Sequence, residues 1–176
     1  MLRASGLLWD LRLFQSYDFY NYFKFYIPTG IYGDCYDRYL LRIEEMRESS
    51  FIILQALDML QVLSKDNTYS ISNFKVTGPS RSSMKDSMES LIHHFKYYSE
   101  GIIIPSEYTY SSVEAPKGEF GVLLVSNNTN RPQRCRIKSP GFLHLQGLSD
   151  MSKNLYLADL VTIIGTQDLV FGEIDR

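Results

Sequence analysis

Hydrophobic positions recur first without helical spacing, then at steps of three and four, then in short alternating runs, and finally at three and four again. That order predicts an α+β molecule, a helical bundle with a small antiparallel β element. Residues 1–33 carry turn signals at Ser5-Gly6, Pro28-Thr29-Gly30 and Gly33-Asp34, and read as a loop-rich entry with short extended pieces. Over 35–62, Tyr36, Leu40, Ile43, Arg47, Ser50, Leu54, Leu57 and Val62 form a mostly apolar stripe that Arg47 and Ser50 interrupt. The stripe predicts one helix of about 40 Å, with Asp34 as its cap and Asp37 adding negative charge to its first turn. Residues 65–77 are polar and turn-rich. Pro79-Ser80 then opens a second helix with Met84, Met88, Leu91, Ile92, Phe95 and Tyr98 on one face, and Gly101 ends it.

The β part follows the connector Ile102 to Pro105. Strands are predicted at 109–114, 118–126 and 133–138, with residues 127–130 turning the chain between the last two. Pro140-Gly141 ends the hairpin. A helical stretch from 157 to about 165 presents Leu157, Leu160, Val161 and Ile164, and residues 172–176 read as an extended acidic tail.

Composition narrows the class. With 176 residues, 44% hydrophobic and 22% charged, the chain can build one domain burying roughly 70% of its unfolded surface, and it is not a disordered tail. A net charge of −2 with scattered basic residues gives no nucleic-acid footprint. No apolar run approaches the ~18–20 residues that span a bilayer, and residues 1–10 are not a signal peptide. Cys35 and Cys135 form no CxxC, and His93, His94 and His144 complete no metal spacing, so no metal site is expected and the thiols read as buried or half-buried.

His93 and His94 adjoin on one helix and cannot face one metal; one is expected buried and hydrogen-bonded, its neighbour exposed. The aromatic load, thirteen Tyr and ten Phe with many in residues 17–26, reads either as a partner-seeking surface or as codon drift. Arg42, Glu44, Glu45, Arg47 and Glu48 are a dense charge run containing a like-charge i,i+4 pair. Subunit contacts, a buried polar network and a solvated face all remain open for it.

Four segments carry a resemblance: MLRASGLLWDLR (1–12), GDCYDRYLLRIEEMRESS (33–50), SMESLIHHFK with EAPKGEFGVLLVS (87–96 and 114–126), and ADLVTIIGTQDLVFGEIDR (158–176). In order, and over essentially the whole chain, they are similar to the quinone-site, hydrogenase-large-subunit-like subunit of proton-pumping NADH:quinone oxidoreductase (complex I), found in bacteria and in mitochondria. The resemblance implies the C-terminal portion of a nickel–iron hydrogenase large-subunit-like fold, with Met1 falling inside the family pattern and the family's N-terminal half absent. A split gene, a truncated sequence or an independent domain would each give this.

The same resemblance implies a chain that lines the chamber where ubiquinone is reduced and is an enzyme only as part of the complex. NAD and iron–sulfur clusters would sit in partner subunits, with no cofactor bound by this chain. Implied partners are the N-terminal half of the same subunit as a separate chain, the adjacent iron–sulfur subunit, the membrane subunit at the quinone entry and other complex I subunits. The implied location is the matrix side of the mitochondrial inner membrane, or the cytoplasmic side of a bacterial plasma membrane.

Related hydrogenases hold their metal pair with a CxxC where Asp168 and Phe171 stand here, so the soft ligands are missing and a carboxylate with an apolar wall remains. Asp168, Val170 and Phe171 are therefore implied as quinone-cavity lining, with Lys117 supporting the cavity from behind. Read without the family, Asp168 is a helix-end aspartate in solvent and Lys117 a solvated turn lysine. The sequence departs from the family at Asn154-Leu155, where a Gly-His is expected, and at Ser83, where a capping-box glutamate is expected. The family's quinone-holding histidine and tyrosine lie in the absent half. A non-catalytic structural or assembly subunit retaining the fold is the alternative reading.

Overall fold

The computed structural model of the chain describes residues 1–63, 71, 73 and 76–175, so most of the polar stretch expected at 65–77 lies outside the described residues. The described chain forms two compact units. The first comprises Met1–Leu63, Ser111–Gly121 and Ile137–Arg176; the second comprises Ser64–Tyr110 and Val122–Arg136. A three-stranded antiparallel sheet of order β1-β2-β3 contributes to both: β1 is Tyr108–Ala115, β2 Gly118–Val125 and β3 Arg134–Lys138. These strands fall within two residues of the predicted ones.

In the first unit the entry is loop-rich, as expected, but it includes a short helix, α1 (Leu11–Phe14), and a 3-10 turn at Tyr20–Tyr22. Asp10 caps α1 by accepting from the Arg12 amide at 2.9 Å. Ala4, Leu11, Ile27, Leu41 and Ile163 are the buried apolar side chains, which places the core under the N-terminal segment.

The long helix α2 (Cys35–Leu63) has the predicted ends. Asp34 accepts from the Asp37 amide at 2.7 Å, while the Asp37 carboxylate turns back to accept from the amides of Ile31, Tyr32 and Gly33. Those bonds, Tyr32's foremost, hold the Asp37 carboxyl below its ordinary 3.8 against a smaller desolvation effect. A depressed carboxyl stabilises the fold above 3.8, and the contribution is lost as pH falls below it. Asp37→Ala is expected to accelerate hydrogen exchange of the Tyr32 amide at neutral pH, and unchanged exchange would contradict this role.

The inward face of α2 differs from the predicted one. Tyr36, Leu40, Leu54, Leu57 and Val62 are exposed, while Arg38 and Leu41 are buried and Glu45, Glu48 and Ile52 half-buried at the same three- and four-residue spacing. The inward stripe is polar because hydrogen bonds anchor it. Glu48 accepts from the Tyr26 amide at 3.0 Å, and Glu45 accepts from Arg3 at 2.7 Å. The charge run thus divides, since Glu44 and Arg47 pair on the exposed side.

After β3 the structure holds a helix that the sequence reading leaves out: α5 (Pro140–Met151), with Pro140 at its first turn. Helix α6 (Leu157–Gln167) follows, then a final turn, α7 (Phe171–Ile174), where an extended tail is predicted. In α6 it is Ile163 and Gln167 that are buried, whereas the predicted face residues Leu157 and Val161 are exposed. Asn154 has φ +59°, a left-handed turn that asparagine tolerates better than most residues.

In the second unit the predicted second helix is two. Ser80 caps α3 (Arg81–Asp86) and Ser87 caps α4 (Met88–Ser99), each accepting from the amide three residues on. The cap at Ser80 survives without a glutamate because the Ser83 hydroxyl stands 2.7 Å from that of Ser80. Gly101, at φ +76°, ends α4 as predicted. His93 and His94 are both half-buried, which corrects the buried-and-exposed expectation: α4 buries no residue fully, and each ring lies beside a tyrosine one turn on, His94 at 4.6 Å from Tyr98. Cys135 is exposed, against expectation, because all of β3 is exposed; Cys35 is half-buried.

Among the described residues, no helix is long and apolar enough to cross a membrane.

Candidate functional site

The residues implied as a site meet in the first unit, on the β1–β2 turn, the end of α6 and the start of α7. The turn is Pro116-Lys117. Gly118 follows it at φ +138°, a conformation that strains residues with a Cβ, and Arg42 of α2 donates to the Pro116 carbonyl. So pinned, Lys117 points inward. Its side chain is only 15% exposed, with Nζ 2.9 Å from Glu173 and 3.9 Å from Asp168. This overturns the reading of a solvated turn lysine.

Asp168 ends α6 in the left-handed conformation (φ 55°, ψ 50°), which aspartate tolerates better than most residues. Its amide donates to the Gly165 carbonyl at 3.2 Å, and the chain then turns so that Val170 leads into α7. The Asp168 side chain is 56% exposed, so it is a helix-end aspartate in solvent and, in the same turn, a neighbour of Val170 and Phe171. Val170 and Phe171 are exposed too. The three make an open wall, not an enclosed cavity. The expected tail is helical because Glu173 turns back onto Lys117.

Two cavities of the first unit lie away from Asp168, Val170 and Phe171. One, of about 340 Å³, is lined by Trp9, Lys117, Glu119, Lys138, Leu143 and His144 among others, with Asp168, Val170 and Phe171 outside its wall. A second, of about 380 Å³, lies over an ion network. There Arg3 donates to Glu45 at 2.7 Å and to Glu114 at 2.5 Å, and stands 3.7 Å from the fully buried Asp10. Arg12 grips Asp10 through Nε and Nη2, and its guanidinium lies 5.0 Å from the Phe25 ring centroid. Burial pushes the Glu114 carboxyl above its ordinary value, opposed by the Leu11 amide and by Arg3.

Sequence reasoning missed several supports of the wall. Buried Arg38 donates to Gly33 O, Thr166 Oγ1 and Cys35 Sγ, tying α2 to α6 two residues before Asp168. Its only signal was a three-residue spacing to Leu41. Glu173 was legible only as an acidic tail residue, and the unread helix ends in Met151, toward whose Sδ the buried Gln167 Nε2 donates at 3.1 Å. Burial lowers the proton affinity of the His144 imidazole below its ordinary 6.5. Among the described residues, no group of three or more His, Cys, Asp or Glu is placed to hold a metal ion.

Comparison with known proteins gives a consistent result. The family described as respiratory-chain NADH dehydrogenase, 49 Kd subunit, matches residues 1–176. Over 176 residues the chain is 62% identical to NADH dehydrogenase (ubiquinone) iron-sulfur protein 2 of Nephroselmis olivacea, covering 100% of this chain and 43% of that protein. It is 58% identical to the protein of the same name from Arabidopsis thaliana, covering 100% of this chain and 44% of the relative. It is 57% identical to the NADH-ubiquinone oxidoreductase 49 kDa subunit of Reclinomonas americana, covering 100% and 43%. The chain therefore spans less than half the length of these relatives.

Proposed function

The chain belongs to the family of the 49 kDa subunit of respiratory-chain NADH dehydrogenase, and from that premise we propose that it lines the quinone-reduction chamber of an assembled NADH:quinone oxidoreductase. The observation that carries this reading is the wall formed by Asp168, Val170 and Phe171, held from behind by Lys117. Apolar side chains suit the face of a neutral quinone ring, and the adjacent carboxylate shapes the potential around its oxygens. The wall offers no thiolate, which fits a nickel–iron hydrogenase-like fold turned from metal binding to quinone binding.

On this reading the chain is the C-terminal portion of the subunit and is catalytic only in the complex. Electrons from NADH arrive through iron–sulfur clusters in partner subunits, ubiquinone is the substrate, and its reduction is coupled to proton translocation. The partners are the remainder of the subunit, the iron–sulfur subunit beside it, and the membrane subunit at the quinone entry. The complex sits peripherally on the matrix side of the inner mitochondrial membrane or the cytoplasmic side of a bacterial one. Large exposed apolar side chains on α2, such as Phe51, Leu54, Leu57 and Leu60, support burial against such partners.

Mass spectrometry of the native complex captured with this chain should recover an iron–sulfur subunit and membrane-arm proteins. In that complex, Asp168→Asn is expected to lower NADH:quinone activity about tenfold or more, a barrier change of ~1.4 kcal/mol or above. NADH oxidation by an artificial acceptor upstream should be unaffected. Capture of the chain alone, or unchanged quinone kinetics, would instead favour a structural subunit that keeps the fold without redox work.

A further inference from the structure

We infer that Arg38, on α2, is a positioning residue for the quinone wall and acts through Thr166 in the last turn of α6. The inference rests on the proposed quinone role of residues 168–171. The Arg38 side chain is buried and reaches three acceptors: Nη1 donates to the Gly33 carbonyl at 2.8 Å, Nη2 to Cys35 Sγ at 3.0 Å, and Nε to Thr166 Oγ1 at 3.2 Å. A guanidinium is planar and its donors keep fixed directions, so two bonds at the start of α2 set the line of the third. That start is itself held, because the Gly33 amide donates to the Asp37 carboxylate at 3.2 Å.

The third bond ends two residues before the wall. Thr166 Oγ1 lies 3.0 Å from the Thr162 carbonyl and 3.1 Å from that of Ile163, so it donates back into α6 while it accepts from Arg38. The next side chain, Gln167, is 1% exposed and donates from Nε2 toward Met151 Sδ at 3.1 Å. The last two residues of α6 are thus fastened to α2 and to α5, and Asp168 leaves them in its left-handed conformation. Beyond that point Val170 and Phe171 are exposed, so the place where α6 stops sets where the wall begins. Arg42, four residues along α2 from Arg38, donates to the Pro116 carbonyl of the turn that carries Lys117. One face of α2 therefore places both the wall and the lysine behind it.

Burial of Arg38 carries a cost that packing alone does not explain. Its three acceptors are a carbonyl, a thiol and a hydroxyl, with no carboxylate among them, whereas Arg3 and Arg12 pair with carboxylates. Methionine would fill similar space without a buried charge. What methionine lacks is a set of donors aimed in fixed directions, and one of these is aimed at the end of α6.

The test compares Arg38→Met, Thr166→Val and the double variant in the assembled complex, with Asp168→Asn alongside. Each single change is expected to raise the KM for quinone about fivefold, the worth of one hydrogen bond, with kcat per assembled enzyme nearly unchanged. Because both remove the same bond, the double variant should match the larger single effect. Activity with the upstream artificial acceptor should hold. If Arg38→Met does not assemble, Thr166→Val decides the matter, since it keeps the side-chain shape and leaves Arg38 its other two acceptors.

An unchanged KM in Thr166→Val would overturn the inference, as would effects that multiply in the double variant. So would a loss of assembled complex with KM per assembled enzyme unmoved, the mark of a purely structural arginine. If Asp168→Asn shifts quinone kinetics while the Arg38 and Thr166 variants do not, the positioning role alone falls. If none shifts them, the wall reading falls and the inference with it.

Discussion

Arg3→Ala is expected to cost about 3–5 kcal/mol of local stability, the typical penalty for removing one partner of a buried ion pair. Arg3 is the hinge of the network, bonded to Glu45 on α2 and Glu114 on β1 and close to Asp10 before α1. Without it the Glu114 carboxylate, with a side chain only 5% exposed, is left beside buried Asp10 with the Leu11 amide as its remaining hydrogen-bond donor. The penalty belongs to the charge left behind more than to the lost attraction. Arg3→Met combined with Glu114→Leu should therefore recover most of it. Hydrogen exchange at the Leu11 amide, which donates to Glu114 at 3.2 Å, reports the effect. In the assembled complex Arg3→Ala should speed that exchange by about a hundredfold or more, at tenfold per 1.4 kcal/mol. A change below about threefold would show that the network contributes little to this region.

Gly30→Ala should be the next most damaging change, at about 2–3 kcal/mol, in the range of overpacked cores. A Cβ at position 30 would stand 2.6 Å from the Ala4 carbonyl oxygen and 3.1 Å from its Cα, which are backbone atoms of a buried residue. It would also stand 3.0 Å from the Asp37 carboxylate that gathers the amides of residues 31–33. The Gly30 amide donates to the Arg3 carbonyl at 2.8 Å, so relieving the clash displaces Arg3 as well. The two changes should therefore be less than additive when combined. Exchange at the Gly30 amide and the midpoint for heat inactivation of the complex would register it. A variant with wild-type values for both would refute the close approach.

The parts of the fold legible in the sequence were those set by local chemistry. The start of α2 followed from Gly33-Asp34, the β1–β2 hairpin from its turn, and the end of α4 from Gly101. Which face turns inward was not legible. On α2 the apolar stripe through Leu40 and Leu54 is uncovered in this chain, while Arg38, Glu45 and Glu48 face inward through specific bonds that hydrophobic periodicity cannot register. Helix α5 was missed for a different reason. Pro140-Gly141 has the look of a turn, yet proline is well suited to the first turn of a helix, and Gly141 and Gly147 weaken the remaining signal.

The candidate site was legible only through the family resemblance. Taken alone, Asp168 reads as a helix-end aspartate, and its backbone does end α6. Lys117 needed the structure, because its partner Glu173 lies 56 residues away and nothing in either local sequence announces the pair. The supports from α5 needed it too, since they depend on a helix absent from the sequence reading.

The central claim is that residues 168–171 face the reacting quinone, and photolabelling tests it most directly. The assembled complex would be irradiated with a ring-azido quinone and the labelled peptides sequenced. The expected result is a covalent adduct on Val170 or Phe171 that excess unlabelled quinone suppresses. Quinone-protected adducts confined to other subunits, with none in residues 168–171, would contradict the account.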